Sequence, residues 1–412
     1  MTRMKESGID WIGQIPEEWE VTKLKYALLI NNGKDYKDIE VEEGGYPVIG
    51  SGGVFARSRN YMYDGDVVLL GRKGTIDKPL FYSGKFWTVD TMFYSTALNG
   101  NNIKFMYYSS LLIPFSYYST ATALPSMTQS DLNNHMLCLP SISEQQKIAD
   151  CLDKKTAQLD KVKALLGEQI QKLKDYRASL IYETVTKGLD TTVPMKDSGI
   201  DWIGQIPEEW EVSKLEQYVD IFGRIGFRGY TTNDIVNEGE GAISYSPSNI
   251  IDYSVIDNNN TYISWSKYDE SPEIQIKTGD VLYVKTGSSY GKAGIVNKLS
   301  NKATINPQLV VLKPKKNTDS RLINYFLNSS VGKDQSELIV GGSTIPTITQ
   351  ESIKKMIFPK MSFEEQQKIA DFLDKKTIQI DKLIQIKNQQ IENINKQRQT
   401  LIYDYVTGKR RV

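Results

Sequence analysis

Two blocks of this chain occur twice almost unchanged, at two different spacings. Residues 4–24, MKESGIDWIGQIPEEWEVTKL, return at 195–215 with only Glu6/Asp197 and Thr22/Ser213 altered, an offset of 191. Residues 144–161, EQQKIADCLDKKTAQLDK, return at 365–382 as EQQKIADFLDKKTIQIDK, an offset of 221. The second offset also aligns ALPSMTQSDL (123–132) with TIPTITQESI (344–353), and LIYETV (180–185) with LIYDYV (401–406). Each half therefore runs from a near-identical opening block, through a divergent region, into a near-identical closing block. The offsets differ by 30, so the second divergent region carries 30 extra residues. Drift after a duplication erodes all segments alike. Near identity beside wholesale divergence points instead to interchangeable modules on a fixed scaffold. What distinguishes the halves should lie in residues 25–122 and 216–343, and what they share in the repeats.

The closing blocks read as long helices. Ser141-Ile142-Ser143-Glu144 and Ser362-Phe363-Glu364-Glu365 match a capping box, with Pro140 and Pro359 just upstream. Gly188 and Gly408 stand at the far ends as stops, and Gly167 is the only glycine between these signals. Apolar residues recur at spacings of four and three: Ile148, Leu152, Leu159, Val162, Leu166, Leu173, Tyr176 and Leu180, then Ile369, Leu373, Ile380, Leu383/Ile384, Ile391, Ile394 and Leu401. Lys155 and Gln169 interrupt the first stripe. A 3.5-residue period favours a coiled-coil seam, and about 42 residues make a rod of roughly 60 Å. Such a rod needs a partner, so the two repeats are expected to pair antiparallel about a pseudo-twofold axis. The competing arrangement packs each helix on its own globular domain. The opening blocks, Trp11–Trp19 and Trp202–Trp210, mix Trp with Gly and Pro and read as irregular clasps that pack aromatic area on a neighbour.

The divergent regions hold short strand-like runs, Val67–Leu70, Val281–Val284 and Leu309–Leu312, with turn signals at Asp64-Gly65 and Thr278-Gly279-Asp280. A mixed α/β domain with a curled sheet is expected in each half. One pattern survives in both: GDVVLLGRKGT (65–75) and GDVLYVKTGS (279–288) each give a turn, a strand and a basic glycine-containing loop. Such a loop can present cations and backbone amides to phosphates, while Arg can read guanine bidentately. The DNA-binding candidates are Ser51, Arg57, Arg59, Arg72, Lys73, Thr75 and Lys78 in the first half. In the second they are Arg224, Arg228, Lys285, Thr286, Ser288, Ser289, Tyr290 and Lys292. Taken alone, each loop reads more readily as solvated surface than as a DNA contact.

Composition works against an enzyme and does not by itself favour nucleic acid. The 50 basic and 50 acidic residues cancel, so any DNA contact must come from local loops. The single histidine, His135, is matched by Met356 in the second half, and two cysteines cannot build an ordinary zinc site. Gly287–Ala293 has one residue too few for a phosphate-binding loop and Ala where Ser or Thr is needed. No catalytic constellation stands out. Cys138 and Cys151 do not suggest a disulfide framework, no run of about 18 apolar residues suggests a membrane span, and the N-terminus lacks a signal-like apolar stretch. A cytoplasmic setting is expected.

The motifs SGIDWIGQIPEEWEV (7–21 and 198–212), GDVVLLGRKGT (65–75), ATINPQLVVLK (303–313) and the two EQQKIADxLDKKTxQxDK helix starts together resemble the specificity subunits of type I restriction–modification systems. The resemblance covers essentially the whole chain. It implies two tandem target recognition domains of mixed α/β fold, each reading half of a split, asymmetric site in double-stranded DNA and each followed by a long helix. The boundaries are 1–140, 141–190, 191–360 and 361–412. The helices would act as spacer and as platform for two methyltransferase subunits, and two restriction/translocase subunits could join. The chain would carry no cofactor; S-adenosylmethionine, ATP and Mg would belong to its partners. A stand-alone DNA-binding or assembly scaffold, or an enzyme with an unrecognised site, are the competing readings.

Overall fold

The computed structural model describes residues 3–118, 125–224, 226, 229–340 and 346–412. The chain forms two compact units: residues 1–167 with 388–412, and residues 168–387. The unit boundaries cut both long helices near mid-length rather than at their ends. The physical reason is visible in the cores. Ile148 and Leu152 share the core of the first unit with Ile402, Tyr405 and Val406. Ile181 and Val185 share the core of the second with Ile369 and Leu373. Within each unit, a segment of one long helix thus lies antiparallel to a segment of the other. Arg398 meets Asp160 in the first unit, and Arg177 meets Asp381 in the second.

The helices run Ile142–Lys187 and Phe363–Val406. Their 46 and 44 residues span roughly 70 and 65 Å. Ser141 and Ser362 cap them by accepting from Glu144 N and Glu365 N (3.3 and 3.2 Å). The expected reciprocal half of each capping box is diverted: the Glu144 and Glu365 carboxylates accept from Trp19 and Trp210 Nε1 (3.1 and 3.0 Å). Gly188 and Gly408 end the helices at φ +75° and +72°, a left-handed turn that glycine adopts without strain. The seam also differs in detail from the expected stripe. Val162, Tyr176 and Leu383 are exposed, whereas Thr156 and Thr377, outside the stripe, are buried and Ile170 half-buried; Ile380 and Ile384 keep their expected places, buried and half-buried.

Each divergent region, or reader, hangs from a two-stranded ladder. Glu20–Lys23 pairs antiparallel with Met136–Leu139, and Glu211–Lys214 with Ile357–Lys360. Beyond the ladder, four strands share one order in both units. In the first they are Leu28–Asn32, Met92–Ala97, Tyr63–Gly71 and Leu80–Thr88; in the second, Val219–Gly223, Leu309–Pro314, Val281–Val284 and Ala293–Ile295. The central members, Val67–Leu70 and Val281–Val284, are buried throughout, which explains why they read as continuous apolar runs rather than alternating ones.

The sheets then diverge. In the first unit Tyr46–Gly50 joins Leu80–Thr88 in parallel, and Gly53–Ser58 and Glu40–Val41 complete seven strands. In the second, two short strands complete a sheet of six, and a separate four-stranded sheet is added. Asp64-Gly65, expected as a turn, lies inside Tyr63–Gly71: Gly65 faces Gly84 across the ladder and both have positive φ. The turn at Thr278-Gly279-Asp280 is present.

Candidate nucleic-acid interface

The surviving basic loop is the same hairpin connection in both units. Residues 72–79 join Tyr63–Gly71 to Leu80–Thr88, and residues 285–292 join Val281–Val284 to Ala293–Ile295. Each loop is tied at its base to the segment before a short helix. In the first unit Gly74 N donates to Pro125 O (2.9 Å) and Met127 N to Arg72 O (3.0 Å). In the second, Gly287 N donates to Pro346 O (3.2 Å) and Ile348 N to Lys285 O (2.8 Å). The PSMTQ and PTITQ repeats are therefore loop supports. Their duplication was evident in the sequence, but nothing in it assigned them this task.

In the first unit Lys73, Thr75 and Lys78 are exposed. Arg72 is turned back onto the protein: Nη1 donates to Asp90 O (3.3 Å) and the guanidinium lies 5.9 Å from the Phe93 ring centre. Arg57, Arg59, Arg72, Lys73 and Lys78 cluster in sequence but not in space. The 72–79 loop meets Leu80–Thr88 at its start, where Leu69 pairs with Leu80. The turn holding Ser51 lies at the other end, where Ile49 pairs with Thr88. Nine residues of strand separate them, roughly 30 Å. Arg57 donates to Gly44 and Gly45 carbonyls (3.4 and 3.3 Å) and Arg59 to Asp38 O (3.0 Å). Beside them, Lys85 Nζ sits 5.8 and 4.8 Å from the Tyr46 and Tyr61 ring centres, and Val54 and Phe55 are exposed. The sequence signal for this cation-and-aromatic face is the alternation of Phe55, Arg57, Arg59 and Tyr61.

In the second unit four candidates converge. Ser288, Ser289, Tyr290 and Lys292 line a cavity of about 580 Å³ together with Asp252, Tyr253 and Lys333. Gly287 (φ +103°) and Gly291 (φ +82°) shape the loop. A Cβ at Gly291 would lie 3.3 Å from Ser336 Cβ, and Ser336 is held by the Tyr283 hydroxyl at 2.7 Å. Lys285 and Thr286 stand at the loop's base, outside the cavity, and burial lowers the Lys285 ammonium pKa from its ordinary value. Arg224 is a correction. It is 5% exposed, its guanidinium donates to Ile305 O (3.1 Å) and Thr304 Oγ1 (3.2 Å), and Tyr230 covers it at 5.4 Å. It braces the sheet instead of offering its charge outward. Arg228 lies outside the described residues.

The opening blocks are clasps, as their composition suggested. Trp19 is fully buried. Tyr403 donates to Trp11 and Ile12 carbonyls (3.2 and 3.3 Å), and Lys409 to Ile12 O (2.6 Å). Trp210 packs against Gly188 in the second unit. His135 is buried, its Nδ1 2.9 Å from the Tyr118 hydroxyl. Both cysteines are free thiols. Among the described residues no cluster of His, Cys, Asp and Glu could hold a metal, and no helix is long and apolar enough to cross a membrane.

Comparison with known proteins follows the duplicated layout. A family model described as the type I restriction modification DNA specificity domain matches residues 16–173 and again 207–396. The chain is 24% identical to the type I restriction enzyme MjaVIII specificity subunit of Methanocaldococcus jannaschii, covering 97% of this chain and 94% of that one. It is 22% identical to the EcoBI specificity subunit of Escherichia coli, covering 98% and 89%. Among solved structures, a chain from work on complex assembly and conformational transition of the type I R-M system aligns with TM-score 0.74 at 17% identity, covering 96% of this chain and 99% of that one. The HsdS subunit of Thermoanaerobacter tengcongensis aligns with TM-score 0.52 at 16% identity, covering 96% and 98%. With two matched copies spanning most of its length, each holding one reader and its ladder, the chain belongs to the type I restriction–modification DNA specificity family.

Proposed function

We propose that the chain is the sequence-reading subunit of a type I restriction–modification complex. Each unit reads one half of a split, asymmetric site in double-stranded DNA, and methyltransferase subunits dock on the repeated helices. The observation that carries this reading is one frame built twice around two different readers, with the same basic hairpin loop projecting from each. Exposed Lys73 and Lys78 supply sequence-independent phosphate attraction. The polar Ser288–Lys292 loop, pinned at its base, offers side chains to base edges with little ordering cost.

Catalysis then resides in the partners. Two methyltransferase subunits bring S-adenosylmethionine and extrude the target base, and two restriction/translocase subunits bring ATP and Mg when they join. A cytoplasmic location follows from this role. Methylome sequencing of cells expressing the chain with its neighbouring methyltransferase tests the reading. Two short half-sites with a fixed gap are expected, and replacing residues 25–122 is expected to alter one half only. A stand-alone scaffold predicts instead that no methyltransferase co-purifies in fixed stoichiometry.

A further inference from the structure

The readers share no evident sequence over residues 101–112 and 318–329, yet both seat a short helix on the repeated helix through the same polar contacts. In the first unit, Asn102 caps Ile103–Ser110 and its backbone N–H donates to Gln145 Oε1 (2.9 Å). Lys104 pairs with Asp153. The Tyr108 hydroxyl donates to Asp153 Oδ1 (2.8 Å) and lies 3.2 Å from Thr156 Oγ1. In the second, Asp319 caps Ser320–Asn328 and its N–H donates to Gln366 Oε1 (3.0 Å). Arg321 reaches Asp374 (2.8 Å). The Tyr325 hydroxyl donates to Asp374 Oδ1 (2.8 Å) and lies 3.1 Å from Thr377 Oγ1.

The helix partners all belong to the closing repeat. The reader partners recur at an offset of 217, which neither sequence repeat has, as Asn/Asp-x-Lys/Arg-x-x-x-Tyr. Both tyrosines are buried, and burial raises their hydroxyl pKa above the ordinary value, so each stays a donor. Hydrogen bonds fix direction where apolar contact does not, and a buried polar group left unpaired is costly.

We propose that this joint sets the pose of each reader on its helix, making Tyr108, Asp153 and Thr156, with Tyr325, Asp374 and Thr377, positioning residues for DNA reading. The inference rests on the DNA-reading function proposed above. It implies that any reader bearing the Asn/Asp-x-Lys/Arg-x-x-x-Tyr signature seats on either repeat.

The test uses the complete chain expressed with its methyltransferase, and reads the gap lengths between half-sites in the methylome. Tyr325→Phe and Thr377→Val each delete one hydroxyl, Thr377→Ser retains it, and Tyr108→Phe probes the first unit. The wild type is expected to accept one gap. Loss of a buried bond corresponds to up to about a tenfold change in preference, so the hydroxyl-deleted variants are expected also to methylate gaps one base pair shorter or longer, at about a tenth of the main level. Thr377→Ser is expected to keep the single gap. A purely structural role lowers methylation uniformly. Variants that accept only the original gap, at whatever level, overturn the proposal. A wild type that directs no split-site methylation refutes the DNA-reading function itself, and the two failures are thereby told apart.

Discussion

His135 makes the first unit acid-sensitive in a way the second is not. It is 3% exposed, stacked 6.0 Å from Trp11 and edge-on to Tyr118 at 5.8 Å. Desolvation holds its imidazole at a pKa of about 4, against 6.5 for the unburied group. The folded state therefore keeps the ring neutral, while the unfolded chain takes up a proton as pH falls below 6.5. A depressed folded pKa means stability that is fully present above 6.5 and is lost as pH falls towards 4. Linkage over this window gives a loss of about 2 kcal/mol at pH 5 relative to neutral, and about 3 kcal/mol below pH 4. The second unit supplies the natural control, since Met356 is buried at the equivalent position.

His135→Met is therefore expected to remove this component without emptying the site. The assay is amide hydrogen exchange of the Met136–Leu139 strand at pH 7.5 and pH 5, corrected for intrinsic rates, because two units need not unfold as one transition. In the wild type, local protection should fall by about 2 kcal/mol more than in His135→Met, and protection of Ile357–Lys360 should differ little between the two proteins. Equal acid losses in both would refute the buried-neutral assignment.

The helix stops should respond unequally to one substitution. Gly188→Ala places a Cβ 3.3 Å from Trp210 and is expected to cost about 1 kcal/mol, the left-handed penalty alone. Gly408→Ala drives the same atom to 2.3 Å from Pro16 Cδ, and should cost at least about 1 kcal/mol more by denaturant unfolding. Lys73→Ala with Lys78→Ala should weaken DNA binding on matched and unmatched sequences alike, and reduce the salt slope by about 0.9 for each phosphate the two lysines neutralise. Adding one turn to both repeated helices, about 6 Å, should lengthen the unread gap of the methylated motif; an unchanged gap refutes a spacer role for them.

The frame was far more legible than the readers. Helix limits followed from Ser141, Ser362, Gly188 and Gly408 because capping and left-handed stops are local chemistry. The central strands were legible because burial on both faces leaves continuous apolar runs. The diverted glutamates were not: Glu144 is drawn away from its own cap by Trp19, 125 residues away in sequence, and by Arg411, farther still. Arg224 failed as a site residue for a related reason. Sequence shows a cation in a loop-like context, whereas its commitment to Thr304 and Ile305 depends on a strand some 80 positions on. The 102/104/108 signature was invisible because only a tyrosine and charge type persist, and helix geometry places residues four apart on one face regardless of their neighbours.

The ladders explain how such different readers can occupy one frame. Lys23 pairs with Met136 and Lys214 with Ile357, so each reader leaves and re-enters the frame at adjacent points. The second reader is longer by 30 residues. Even treated as an unstructured loop, going from 112 to 142 residues raises the closure cost by only about 0.2 kcal/mol. Length at the periphery is thus nearly free, and the extra strands of the second unit can be added without disturbing the clasp or the ladder. Orientation is not free in this way, because two adjacent attachment points still allow a reader to rock about the line joining them. A third point of attachment removes that freedom, and in both units the joint built on Tyr108 or Tyr325 lies away from the ladder, on the repeated helix. A frame that tolerates any length but accepts few poses is what reading two half-sites at a fixed separation requires.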